Sequence, residues 1–436
     1  SDDWYSLYVD QGNVTIDGLL IDGDNPLLTS GNVLNGADVD VDYGIYASNT
    51  DAQGSIEVRN NIVQNITTMG FVGYTGGSYA NGDVSSNNVI ANNKIDNIAT
   101  GRGVVPLWNY YADVTDNVIT RTAVGLYSEN AHKAEFDGSS TWSGNDISAS
   151  RAGIWYNLAY GAATPLPITN NTVTAEDDAA GTRFSGVWLT SLGGSADPTI
   201  SANDITIGSA ITQQGVGYDL WNNGTTATGG ITITGGTVDG GDYGVWVNNF
   251  EGYPTTSGSN GGSTQVTVDN IDLDNFDIAG VFVSDSDNNT NNATVTANLV
   301  NNTSLAGSAG STGVLTAGAD ATTNVDSSII VSGTDIAYDV DEGTLELTGT
   351  TVTGAGTGIR VDNFGSATMS GGSITGFTTG IDVLMGAEIE LSNVDFDAGT
   401  DNATDLRVAV DAGDVTLSGG NNFAGDTYFI ENLSAL

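Results

Sequence analysis

Cysteine is absent from the 436 residues, so the chain has neither a disulfide framework nor a thiolate site for metal or redox chemistry. A single histidine, His132, excludes every His-rich metal cage. Basic residues are scarce: 9 Lys and Arg stand against 53 Asp and Glu, a formal charge of −44. That balance excludes a nucleic acid or an anionic membrane surface as partner. No run approaches the ~18 apolar residues of a membrane span. The chain opens Ser1-Asp2-Asp3-Trp4 rather than with a basic stretch and an apolar one, so a mature, soluble chain is expected.

What is abundant points to strands and corners. The acids are 43 Asp and 10 Glu, and Asp favours turns and hard-cation sites where an acidic helical protein would favour Glu. Glycine is frequent, at 60 residues, yet apolar residues still make up 39%, enough to bury a core. No stretch shows helical periodicity.

One phrase recurs along the whole chain: apolar, spacer, apolar, then Asn or Gly, then apolar five places after the second apolar residue. It reads Ile56-Glu57-Val58-Arg59-Asn60-Asn61-Ile62-Val63 early and Ile231-Thr232-Ile233-Thr234-Gly235-Gly236-Thr237-Val238 in the middle. With the second apolar residue as marker, fifteen units run from Ile16 to Leu417, with Val268, Val295 and Val325 as successive markers in the later part. A second phrase follows in most units, a Gly and then alternating residues, as in Gly153-Ile154-Trp155-Tyr156 and Gly358-Ile359-Arg360-Val361. Each unit therefore reads as three short period-two strands broken at corners where Asn or Gly takes positive φ. Such strands bury a core only when units stack with like strands in register. A β-sandwich would need antiparallel hairpins every ~8–12 residues, which a fixed phrase at a 22-residue spacing in the last coils does not provide.

These motifs, over nearly the whole chain, resemble the pectate-lyase-like parallel β-helices. The expected fold is all-β, a single-stranded parallel β-helix of about 15 coils with three short strands each. Right-handed winding is implied by the resemblance and by the crossover preference. At ~4.8 Å per coil the stack would be on the order of 70 Å long. One elongated domain over 1–436 is the simplest organisation, with 1–58 as the N-terminal coil, 59–183 less acidic and 184–436 strongly acidic.

Alternation also fixes which residues point outward. The second position after the strand-opening Gly carries Arg360, Asp382 and Arg407 late in the chain, and Tyr46, Tyr127, Trp155, Trp188, Trp246 and Phe282 earlier. Residues 59–183 hold 7 of the 9 bases, including Lys94, Arg102, Arg121, Lys133, Arg151 and Arg183, in coils that also present Tyr127, Trp155 and Trp188. Exposed rings beside guanidinium groups suit an acidic polysaccharide, since rings stack on sugar faces and Arg takes carboxylates bidentately. The alternative is that these bases neutralise nearby Asp or meet an acidic surface of another copy.

Lyases of the resembled family abstract a proton with an Arg or Lys base beside Ca²⁺, which would make Lys94, Arg102, Arg121 or Arg151 the base and Glu129 or Glu135 a metal ligand. No lyase signature is present beyond this. The hydrolase pattern of clustered Asp with Gly-His-Gly is absent, since His132 sits in Asn130-Ala131-His132-Lys133. Glu176-Asp177-Asp178 reads as a solvated corner loop. Calcium is the candidate cofactor: Asp38, Asp40 and Asp42 alternate as if on one strand face, and Asp285 and Asp287 sit together in a loop. Neither spacing completes a twelve-residue calcium loop. Asn-x-Ser/Thr triplets occur about as often as this composition predicts by chance.

No amphipathic cap is legible at either end, so both terminal coils are expected to carry unpaired strand edges. The reading this favours is a non-catalytic extracellular or cell-surface structural protein whose partners are copies of itself, as in a fibre, sheath or adhesin. The second is a β-helix that binds or cleaves an acidic polysaccharide.

Overall fold

In a computed structural model the described residues are 4–48, 54–74, 85–107, 110–129, 140–157, 166–190, 199–221, 230–249, 263–285, 294–326, 329–354 and 356–433. Apart from turns and bends, their regular structure is almost entirely β-strand. The chain divides into two compact units, residues 1–218 with 226–229, and residues 219–225 with 230–436. Each is a parallel β-helix in which three faces are built from ladders of short strands.

In the first unit the markers of the recurring phrase form one inward column. Ile16, Val58, Ile90, Val114, Trp142, Ile168 and Ile200 lie in register, one per coil. The residues five places on form a second column, Ile21, Val63, Ile95, Ile119, Ile147, Val173 and Ile205. A third occupies the place after the strand-opening position, which is Ser6 in the first coil and Gly in the others: Leu7, Ile45, Phe71, Val104, Leu126, Ile154 and Val187. Most of these side chains are fully buried, so the three columns are the core. The second unit repeats the plan, with Val245, Val281, Val314, Tyr338, Ile359, Ile381, Leu406 and Ile430 after the Gly position.

One marker is corrected. Val268 pairs with Leu299 rather than Val295, and Leu299 pairs with Val325. This corner holds an additional residue: Asn301 and Asn302 both take positive φ, and Leu305 follows Leu299 by six places rather than five. The spacing rule therefore slipped onto the earlier Val.

Corners use two adjacent residues for different purposes. Asn60, Asn92 and Asn170 adopt left-handed φ of 57°, 56° and 55°, the conformation Asn tolerates best after Gly. The next residue turns inward and is buried. Asn61, Asn93, Asn117, Asn145, Asn171 and Asn203 form a continuous ladder in which each side-chain oxygen from Asn93 onward accepts from both the backbone N–H and the amide of the preceding coil's Asn, while that of Asn61 accepts from the Leu19 N–H. The amide also donates to a backbone carbonyl, as Asn117 Nδ2 does to Ile90 O at 2.8 Å. Corner polar groups that the strands leave unmatched are satisfied in this way.

The strand-opening glycines have a different cause. Those of the first unit, such as Gly125, do not take positive φ. A Cβ on Gly125 would lie 2.3 Å from Ile147 Cγ2 and 2.6 Å from Gly153 O. Coils approach so closely there that a side chain has no room.

Candidate functional site

The outward column of the first unit runs Tyr8, Tyr46 and Val72, and continues through Tyr127, Trp155 and Trp188. A neighbouring outward column carries Tyr5, Tyr43, Met69, Arg102, Val124 and Ala152. Because like positions recur each coil, rings meet rings. Trp155 stacks on Trp188 at 4.3 Å and 15°, and Tyr127 meets Trp155 edge-on at 4.9 Å. Tyr8 stacks on Tyr46 at 5.7 Å, and Tyr5 on Tyr43 at 5.2 Å. Burial, reinforced by the surrounding tyrosines, pushes the Tyr46 hydroxyl up to about 12.

Alternation predicts open platforms, and the structure corrects that. The rings point outward, but Tyr127 and Trp155 are only 3% and 7% exposed, packed in a satellite cluster with Val72, Val105, Val124 and Ala152. Tyr46 and Trp188 are half-buried against the same cluster. Two arginines cover it further: the Arg102 guanidinium lies 3.7 Å from the Tyr127 ring centre, and that of Arg151 lies 5.3 Å from that of Trp155. In the second unit Trp246 and Phe282 are half-buried and packed together at 5.3 Å, with Tyr243 against both. Trp246 Nε1 donates to Ser284 Oγ at 2.9 Å.

The four candidate bases fall into two pairings. Arg102 and Arg151 flank Trp155, with no carboxylate at ion-pair distance among the described residues. Lys94 and Arg121 meet at Asp96: Arg121 donates to both its oxygens at 2.7 and 2.6 Å, and Lys94 Nζ lies 3.8 Å away. These hydrogen bonds from Arg121 hold the Asp96 carboxyl below its usual range, and Asp96 in turn holds Arg121 more firmly protonated. A guanidinium so held is a poor proton acceptor. Arg121 also sits at φ 52°, an uncommon conformation for Arg, and its N–H donates to Glu176 Oε1 at 3.2 Å. Burial raises the Glu176 carboxyl against the pull of Arg121. The rest of that acidic triplet bonds its own surroundings: Asp177 accepts from Thr212, and Asp178 from the Ala180 N–H.

The calcium candidates do not share a strand face. Only Asp38 lies in a strand, a two-residue piece paired antiparallel with Val33–Leu34, and Asp40 and Asp42 follow in irregular chain. Each carboxylate secures a different loop group. Asp38 accepts from Ser30 Oγ and the Gly31 N–H, Asp40 from the Asn25 N–H, and Asp42 from the Trp4 N–H. Asp285 ends the strand Ala279–Asp285. Asp287, His132, Lys133 and Glu135 lie outside the described residues. Among the described residues no group of three or more His, Cys, Asp or Glu is placed to hold a metal. Glu129 accepts from the Tyr127 hydroxyl at 2.9 Å.

In the second unit the outward column holds Trp246, Phe282, Arg360, Asp382 and Arg407 as the sequence places them, and adds Leu315, Asp339 and Glu431. Arg360 and Arg407 each bond both oxygens of the Asp one coil before, through Nε at 2.8 Å and through Nη2. The alternating charges were visible; the one-coil pairing was not.

The terminal rungs differ from the rest. Tyr428–Asn432 pairs with Thr404–Val408, and Val415–Ser418 with Glu388–Ser392, and among the described residues no second strand pairs with either. Their inward residues Ile430 and Leu417 are 43% and 42% exposed, whereas Leu406 and Leu391 one coil earlier are fully buried. At the other extremity Tyr5–Val9, Val14–Asp17 and Leu20–Asp22 likewise pair on one edge. Ile16 and Ile21 are buried there, while Tyr5, Tyr8, Leu19 and Leu20 are exposed. The insertion between Gly23 and Asp42 reaches later coils, where Asn35 Nδ2 donates to Asn97 Oδ1 and Leu34 O accepts from Asn97 Nδ2.

No family model and no curated protein matches the chain. Among solved structures it is similar to the A-module of the mannuronan C-5 epimerase AlgE6 of Azotobacter vinelandii. Identity is 11%, covering 97% of this chain and 91% of that one, with a TM-score of 0.18, too low to bear on function. No described helix is long and apolar enough to cross a membrane.

Proposed function

We propose that the chain is a non-catalytic structural protein of the extracellular space or cell surface, a β-helical subunit of a fibre, sheath or adhesin that associates with copies of itself. The observation that carries this reading is the half-exposed pair Leu417 and Ile430, inward residues of a parallel stack whose counterparts one coil earlier, Leu391 and Leu406, are fully buried. Apolar side chains left open in the core columns are covered by a further rung. Sedimentation velocity and electron microscopy across salt and calcium concentrations test it. Growing oligomers are expected, and monomers under every condition would sink the reading.

A second reading, binding or lyase-like cleavage of an acidic polysaccharide, is favoured by Arg102 and Arg151, two guanidinium groups on an aromatic strip without a carboxylate partner among the described residues. It is weakened by the rings themselves, which are spent on one another. Incubation with pectate or alginate tests it: an ultraviolet-absorbing unsaturated product, lost in Lys94→Ala or Arg121→Ala, would establish it over the first.

A further inference from the structure

Resting on the self-association reading, we propose that copies join through their flanks: the acid-rimmed apolar corner around Phe364, in the second unit of one copy, docks on the aromatic strip that carries Arg102 and Arg151, in the first unit of the next. The corner is strained where packing gives no reason for strain. Phe364 N–H donates to Met385 O, and one coil later Gly386 N–H donates to Asp411 O, so Phe364 and Gly386 hold the same place in successive turns. Both take φ 65°, which suits Gly and is uncommon for a bulky residue. The Phe364 ring lies against Gly386, whose would-be Cβ would stand 2.4 Å from its Cδ1, yet Phe364 remains 73% exposed. Met385 and Val410, in the next two coils, are exposed as well, so the ring opens an apolar patch. Strain that places an aromatic ring in solvent is explained by a contact made outside the chain.

Charge selects the occupant. Asp341, Glu342 and Asp362 lie on one side of the patch along the chain and Asp411 on the other. The two bases of the second unit, Arg360 and Arg407, are already held by Asp339 and Asp382. A fitting surface must therefore bring its own bases together with apolar groups, and the strip of the first unit does. Arg102 and Arg151 lie over rings with no carboxylate at ion-pair distance among the described residues, and Leu107 and Trp188 are half-buried beside them. Spacing agrees too. Arg102 and Arg151 stand two coils apart, as do Asp362 and Asp411, about 10 Å in each case at ~4.8 Å per coil. Each guanidinium can then meet a carboxylate while Phe364 and Met385 cover the apolar part of the strip. Because the two surfaces differ, every copy added leaves one of each open, and the assembly grows rather than closing as a two-fold dimer.

Variants that remove one side each test the joint. Phe364→Gly suits the left-handed backbone, so its urea midpoint is expected to match the parent's while self-association weakens at least tenfold; Phe364→Asn, which tolerates the same backbone, repeats the measurement. Arg151→Glu reverses an exposed charge on the other side and is expected to weaken association as much. Mixed in equal amounts, the Phe364→Gly and Arg151→Glu variants restore a single joint, so sedimentation velocity is expected to show one-to-one heterodimers that grow no further. Oligomers that persist in either variant alone, as they would if the corner took a sugar or an unrelated protein, overturn this joint and leave self-association standing. So do two monomeric variants that fail to pair on mixing. A parent that stays monomeric at every salt concentration overturns both.

Discussion

Arg360 grips Asp339 one coil before it through two parallel hydrogen bonds, its Nε reaching Asp339 Oδ1 at 2.8 Å. Asp339 is 6% exposed, so loss of this clasp would strip a buried carboxylate of its two charged hydrogen bonds. The pair stands where the first unit puts rings, showing that one column position serves either aromatic stacking or alternating charge.

A double-mutant cycle measures the clasp. Arg360→Met is expected to destabilise the second unit by about 2 kcal/mol, and Arg360→Met with Asp339→Asn by less than the sum of the two single changes, with a coupling of about 1–2 kcal/mol. Urea unfolding followed by circular dichroism reads it, and simple additivity would refute the coupling.

Replacement of Gly125 by Ala forces a Cβ to within 2.3 Å of Ile147 Cγ2 and 2.6 Å of a carbonyl oxygen, with backbone on one side unable to retreat. A loss of about 3 kcal/mol is expected. Gly208→Ala, with nothing within 4 Å of its would-be Cβ, is expected to stay within about 0.5 kcal/mol. Equal melting temperatures for the two variants would contradict the close-approach account.

The asparagine ladder predicts a change whose size depends on pH. Asn117→Asp retains an acceptor for Asn93 but loses the donor that serves Ile90 O and Asn145 Oδ1. At neutral pH the loss is expected to be about 2–4 kcal/mol. The buried Asp is expected to have a raised pKa, so the variant recovers stability as pH falls through it and a protonated carboxyl donates again. Thermal melts at a series of pH values check this; a penalty that does not diminish on acidification would count against it.

Asp96 predicts the opposite dependence. Its folded pKa is lowered, chiefly by the hydrogen bonds from Arg121, so its contribution is present above the unfolded value of about 4 and is lost as pH falls through the lower folded value. Asp96→Asn is therefore expected to be less stable than the parent at neutral pH, with the gap closing in acid. A gap independent of pH would show that the ion pair adds nothing.

The legible part of this molecule was the part governed by period. The marker residues need no tertiary information, because in a strand every second side chain faces the core and the phrase repeats with the coil: Val58, Ile90 and Val114 fell into one column as expected. The rule failed at Val295, where one added corner residue shifted the frame to Leu299. Asn61 and its successors were visible as corner residues, but adjacent Asn60 and Asn61 look alike in one dimension; only the fold separates the one that takes positive φ from the one that turns inward.

Composition and period by themselves determined an acidic, cysteine-free stack of parallel strands and the side of each strand that faces its core. Tertiary structure alone decided what the outward residues do. Trp155 and Trp188 are 33 positions apart, and Asp339 and Arg360 are 21 apart. Whether such residues meet depends on insertion lengths that vary from coil to coil, so contact between coils, and with it burial of the rings and pairing of the charges, is set only when the register of the stack is in place.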